Sequence, residues 1–201
     1  MGTTLSGGND GIALLANAAA TAGMLYVLIV TLGPISGAHF NPAVTLAMRF
    51  RGEMTSTHAS AYILVQVVAA IAGVLLAHAM FDQALLQPGK RVRSGGAQWL
   101  SEGVATAGLL LTILLGARHR PNAIPALVAS YIFAAYWFTA STSFANPAVT
   151  SARSLTQSFA GIQPQDVGGF VLAQLAGTLV AIGIASVLLG RDEPAIASSA
   201  D

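Results

Sequence analysis

Apolar residues in this chain come in long unbroken runs, not in the alternating or striped patterns of soluble proteins. No charged residue stands between Asp10 and Arg49, between Glu53 and Asp82, within 121–152 or within 167–190. The stretch 94–117 holds a single charge, Glu102. A bilayer core about 30 Å thick takes about 20 apolar residues per helix. Backbone groups in lipid must pair internally, so runs of this length read as helices. Five segments are expected to span: 11–33, 59–81, 97–117, 122–141 and 167–190. Gly33-Pro34, Pro88-Gly89, Arg118 to Pro121 and Gly190-Arg191 punctuate their ends. Trp99 and Trp137 suit interfacial anchors and ordinary packing residues equally.

Composition narrows the class further. The 201 residues include nine basic and eight acidic ones, 8% of the chain, where a soluble domain carries about 25%. The hydrophobic share is 54% and the mean hydropathy is +0.68. Soluble globular, disordered and collagen-like classes are excluded, leaving an integral membrane protein of one domain. Without cysteine there is no disulfide scaffold, thiolate metal site or Cys nucleophile. The net charge of +1 and the lack of a basic run argue against nucleic acid as a partner. No Ser/His/Asp grouping, metal-ligand spacing or glycine-rich phosphate loop stands out, so no enzyme activity, metal or cofactor is expected. No signal-peptide cleavage site stands out either.

Two apolar pieces remain, too short to span. They open with the same pentapeptide, Asn41-Pro42-Ala43-Val44-Thr45 and Asn146-Pro147-Ala148-Val149-Thr150. Beyond each copy follow similar runs, Tyr62 to Gln66 and Phe170 to Gln174. The chain therefore reads as an internal duplication, repeat one over 1–95 and repeat two over 96–201, packed about a pseudo-two-fold axis. Two spans precede the second pentapeptide but only one precedes the first. Equal halves would mean that repeat one lacks its first helix, through a truncated chain or as a five-span protein. Five spans put the termini on opposite sides. Arg49, Arg51, Arg118, Arg120 and Arg191 fall on one side, and Lys90, Arg91, Arg93 and Arg153 on the other. The count favours the first side as cytoplasmic.

Asn is a strong N-cap and Pro fits the first helical turn, so each pentapeptide starts a helix. About ten residues make roughly 15 Å, half a bilayer. Two such half-helices entering from opposite faces would meet tip to tip at the midplane, around a water-filled cavity. Their N-termini carry partial positive charge, which repels cations. The Asn41 and Asn146 amides can donate to a passing oxygen.

Ser36-Gly37-Ala38-His39-Phe40-Asn41-Pro42-Ala43-Val44-Thr45-Leu46 and Ser143-Phe144-Ala145-Asn146-Pro147-Ala148 resemble the paired signature loops of the major intrinsic proteins, the aquaporins and aquaglyceroporins. The resemblance runs over nearly the whole chain. It implies an all-α membrane protein, an hourglass of six spans (five here) and two re-entrant half-helices. It implies a homotetramer in the membrane lipid, with one pore per subunit. Met1 to Asn9 resembles the loop that would follow the family's opening span. The carbonyls of Gly37, Ala38 and His39, and of Ser141 to Ser143, would line the pore, with the His39 side chain near its cytoplasmic end. Glu102 would hold backbone N–H groups of the second loop. Counting the family's spacings from each Asn puts three selectivity-filter positions on Thr21, Ala134 and Ser143. The fourth, where the family usually has arginine, is Val149. Arg153, one turn on, would either swing back toward the pore or bond loop carbonyls. Thr, Ala, Ser and Val are small and uncharged, so this filter should be wide. Valine at this place resembles a bacterial branch associated with arsenic-resistance genes, which implies a bacterial inner membrane.

A passive channel for small neutral solutes follows: water, glycerol-like polyols and arsenous acid, a neutral molecule with three hydroxyls. A secondary transporter built on inverted repeats and a non-conducting remnant are the competing readings. Gln66 and His78 are expected to be hydrogen-bonded packing residues. Gly23, Gly73, Gly108 and Gly177 are expected to let helices cross closely.

Overall fold

The computed structural model describes residues 1–190; Arg191, one of the charges in the sidedness count, and the end of repeat two lie outside the described residues. Eight α-helices follow one another: α1 Gly2–Leu5, α2 Asp10–Ser36, α3 Pro42–Phe50, α4 Ser56–Met80, α5 Gly96–His119, α6 Ile124–Phe138, α7 Pro147–Arg153 and α8 Val167–Leu188. No strand occurs among the described residues.

Side-chain caps set several of the helix starts. Asn9 accepts from the Ile12 N–H to open α2, and Thr55 from the His58 N–H to open α4. Gly37 closes α2 in the left-handed region, at φ 76°, where a side chain would be strained. Among the described residues, four helical segments are long and apolar enough to cross a membrane: Asp10–Ser36, Ser56–Met80, Gly96–His119 and Pro164–Leu188, at mean hydropathy 1.7 to 2.3. The expected span over 122–141 is shorter than that. Its α-helix holds 15 residues, because Pro121–Ala123 form a 3-10 turn and the chain leaves the helix at Thr139 to turn back into the bundle.

The Tyr62 hydroxyl, early in α4, donates to the Ser36 carbonyl at the end of α2, so α4 begins on the side where α2 ends. The closest packing joins α5 to α8, and α2 packs along α6. A Cβ at Gly177 would run into the Gly103 carbonyl of α5, and one at Gly108 into the Tyr131 ring. Only glycine lets these helices approach so far. Gly23 and Gly73 differ from expectation, since neither faces a neighbour within 4 Å. Their helices lie at the periphery: α2 buries only Ala13 and Ala18, and α4 only Ala59 and His78.

The two short helices fill the middle. Val44 and Ala47 of α3 pack on Leu110 of α5 and Ala181 of α8. The α7 helix packs on α4 and α8. Each half-helix thus touches the opposite repeat as well as its own. His78 ties the rim together, with Nδ1 2.8 Å from the Leu85 carbonyl and Nε2 3.0 Å from Thr156 Oγ1. Trp99 and Trp137 are partly exposed at one end of the bundle.

Candidate functional site

Each pentapeptide opens its half-helix in the same way. The Asn41 side-chain oxygen accepts from the Ala43 N–H at 2.9 Å. That of Asn146 accepts from Ala148 at 3.0 Å and Val149 at 3.3 Å. Pro42 and Pro147 follow as first helical residues, where no N–H is needed. The loop segments leading in are strained alike. Ala38 and Phe40 have φ 48° and 47°, and Ser143 and Ala145 have φ 49° and 45°. Left-handed backbone at a residue with a side chain persists only where surrounding contacts hold it. Here the contact is reciprocal: Asn41 Nδ2 donates to the Ala145 carbonyl at 2.7 Å, and Asn146 Nδ2 to the Phe40 carbonyl at 2.9 Å. The half-helices therefore meet N-terminus to N-terminus, each asparagine clamping the turn before the other. An amide has two N–H donors, so each asparagine keeps one beyond its clamp.

Both asparagines line one cavity of about 420 Å³ that threads the bundle. Gly37, Ala38, His39, Ser143 and Ala145 line it from the two loops, opposite an apolar wall that includes Leu25, Ile29, Leu109, Val128 and Ile132. A polar stripe facing an apolar wall lets a solute trade hydration for a few fixed hydrogen bonds without being held. Glu53 and Met48 stand at one end. At the other end Thr21, Ser143, Val149, Tyr136 and Arg153 come together.

Ala134 is the exception among the expected filter residues. It is exposed on the outside of α6 and does not line the cavity. Two positions further along, Tyr136 faces inward, 3% exposed. Its hydroxyl lies 3.3 Å from Thr21 Oγ1 and accepts from Arg153 Nη2 at 3.0 Å. The Arg153 guanidinium stacks over the Phe144 ring, 4.3 Å from its centroid. The end of the cavity that Arg153 lines is thus not uncharged. The arginine that bonds loop carbonyls is Arg93, which donates from Nε to Gly161 and from Nη1 to Ser141, both at 2.9 Å. Burial holds Arg93 down at about 10, helped by the like charges of Arg153 and Arg91. Sequence reasoning missed Tyr136 and Arg93 as parts of this site.

Beneath the second loop lies Glu102, fully buried. Its oxygens accept from the Phe144 and Ala145 N–H groups, each at 2.8 Å. Gln174 donates to Glu102 Oε2 at 2.6 Å and to Thr150 Oγ1 at 2.8 Å. All three hydrogen bonds that the carboxylate accepts come from the loop and its support, and Glu102 does not line the cavity. Beneath the first loop, Gln66 donates to Thr45 Oγ1 at 3.0 Å, and that oxygen lies 3.1 Å from His39 Nδ1.

A helical membrane bundle with a polar-striped passage between two opposed half-helices defines a transmembrane channel. The chain belongs to the major intrinsic protein family, whose model matches residues 2–140. It is a multi-pass membrane protein, and members of this family are channels rather than enzymes. It is 54% identical over 188 residues to Aquaglyceroporin AqpS of Rhizobium meliloti (strain 1021), a match covering 94% of this chain and 81% of that protein. It is 36% identical over 106 residues to a probable aquaporin PIP2-8 of Arabidopsis thaliana, covering 53% of this chain and 36% of that one. A probable glycerol uptake facilitator protein of Thermotoga maritima is 29% identical over 117 residues, 52% of this chain and 50% of its own length.

Proposed function

We propose that the chain is a passive channel of a bacterial cell membrane for small neutral solutes: water, polyols of glycerol size and arsenous acid. The carrying observation is Val149, half-buried at the cavity beside Thr21 and Ser143. An arginine there would fill the passage with a long charged side chain; valine leaves room. The wall opposite is apolar and suits the carbon face of a polyol, while the loop carbonyls and asparagine amides suit its hydroxyls. Similarity to proteins named aquaglyceroporin and glycerol uptake facilitator supports this choice of solutes. The filter we assign consists of Thr21, Ser143 and Val149 with Tyr136 in place of Ala134. The family's homotetramer is proposed as the assembly; it would cover part of the exposed apolar surface of α2 and α4.

The test is Val149→Arg in proteoliposomes. Uptake of glycerol and arsenous acid should fall about tenfold, roughly 1.4 kcal/mol of added barrier, with a much smaller loss of water flux. Equal losses for all three solutes would place the constriction elsewhere. Saturable flux driven by a proton gradient in the unmodified chain would replace the channel by a transporter, and absence of flux would make it a non-conducting remnant.

A further inference from the structure

The proposal that follows rests on the channel reading above. We propose that Arg153 is the fixed positive charge of this pore and its cation-excluding residue, and that Tyr136 is the residue that positions it. Four observations carry the assignment.

First, Arg153 lines the cavity one helical turn beyond Val149, at the end away from Glu53. Second, its charge is not neutralised. No described carboxylate lies within ion-pair distance of it. Glu102, the acid beneath the loop, is committed to Phe144, Ala145 and Gln174. Third, its position is over-determined. The guanidinium is stacked on Phe144 and donates to Tyr136, leaving Nη1 buried without a hydrogen-bond partner. A flexible surface arginine would turn that group to water.

Fourth, the hydrogen bonds have a direction. A guanidinium can only donate, so the Tyr136 oxygen accepts from Arg153 and its own hydrogen is free for Thr21 Oγ1, 3.3 Å away. Other helical threonines here, such as Thr31, Thr112 and Thr139, bond back to the carbonyl four residues earlier. Thr21 makes no such bond, and with the Tyr136 O–H donating to it, its own hydroxyl hydrogen is left for a passing solute. The line Arg153 to Tyr136 to Thr21 joins α7, α6 and α2 and ends in a donor. Such a rung welcomes neutral solutes that present oxygen acceptors and repels cations. Charge exclusion, supplied at the family's arginine position in most members, is supplied here by a residue one turn later. The width gained by Val149 and the barrier to cations are thereby separated onto two residues.

The experiment compares fluxes of glycerol, water and methylammonium, together with proton leak, through proteoliposomes carrying the full chain. Arg153→Gln should raise the ratio of methylammonium to glycerol flux about tenfold. Arg153→Lys should keep exclusion, because the charge stays. Tyr136→Phe retains the ring and so its packing, yet should give an intermediate ratio, an effect that a purely structural role would not produce. Val149→Arg placed in the Arg153→Gln background should restore exclusion. An Arg153→Gln channel that conducts glycerol and stays tight to cations would overturn the assignment and leave exclusion to the half-helix N-termini. Loss of all flux in both Arg153→Gln and Arg153→Lys would make the residue structural and also overturn it. Absence of flux in the unmodified chain would instead remove the channel reading on which the assignment rests.

Discussion

In the second re-entrant loop the N–H groups of Phe144 and Ala145 donate to Glu102, whereas the corresponding N–H groups of His39 and Phe40 in the first meet no described acceptor. Much else is shared. Both asparagines cap, both prolines follow, and left-handed backbone falls three residues and one residue before each Asn. His39 packs on Tyr62 with ring centroids 5.6 Å apart, and Phe144 on Phe170 at 5.3 Å. Gln66 reaches Thr45 as Gln174 reaches Thr150. The difference lies in the support. Glu102 comes from α5, which packs along α8, and no described helix stands in that relation to α4. In consequence Gln174 is fully buried with Glu102 and bonded to it, while Gln66 is only partly buried and bonded to Thr45 alone; the Oε1 of each has no partner. The loop geometry is written in the loop, but its rigidity is supplied by a helix far away in sequence.

The strongest way to break this comparison is Glu102→Ala. It strands the Phe144 and Ala145 N–H groups and one N–H of the Gln174 amide in a fully buried site. A loss of about 3 kcal/mol is expected from leaving such a network unpaired, read as a lower melting temperature in detergent, with solute flux abolished. A melting temperature equal to that of the unmodified protein would mean that the second loop is no better supported than the first.

How much of this was legible in the sequence follows the same division. The caps, the meeting of the two asparagines and the long spans rest on local patterns. The inward face of α6 was not legible. That helix is apolar all round, so no period marks a face, and each residue of miscount turns it by about 100°. Hence Ala134 points out and Tyr136 in. Arg93 was hidden for another reason. It sits in an irregular loop, and its partners Ser141 and Gly161 lie far along the chain. The shortened α6 reflects Pro121 at its start and the turn to extended backbone at Thr139, which hydropathy does not record.

The reciprocal clamp sharpens the comparison from the symmetric side. Asn41→Ala and Asn146→Ala each remove one cap and one cross-loop bond, so each should cost about 1–2 kcal/mol. The double variant should cost less than the sum, by about 0.5 kcal/mol or more, because either loss already frees the turn that the other clamps. Strict additivity in a thermal-denaturation cycle would show that the loops are held independently. A much larger loss at Asn146, whose amide clamps the first loop, would show that Glu102 alone keeps the second loop in place.

The smallest expected effect is also the most discriminating, because the same chemical change is made in both halves. Gln174→Leu removes a donor to Glu102 and another to Thr150 in a site with no exposure, and should cost about 1–2 kcal/mol. Both substitutions delete a buried, unpartnered carbonyl oxygen, but Gln66→Leu removes only one bond, to the neutral Thr45 hydroxyl, where Gln174→Leu removes two, one of them to a carboxylate. Deleting an unsatisfied acceptor offsets loss of a single hydrogen bond, and polar contacts between membrane helices average about 0.6 kcal/mol in any case. The Gln66 side chain lies on the half-buried face of α4 with Ile63, Val67 and Ala70, where leucine can pack among apolar neighbours. Gln66→Leu should therefore leave the melting temperature within error, with Thr45 still beside His39. If it instead destabilises as much as Gln174→Leu, then Gln66 Oε1 has a donor in the membrane-embedded protein. That donor would have to come from a helix beside α4, and the first loop would be as fully supported as the second.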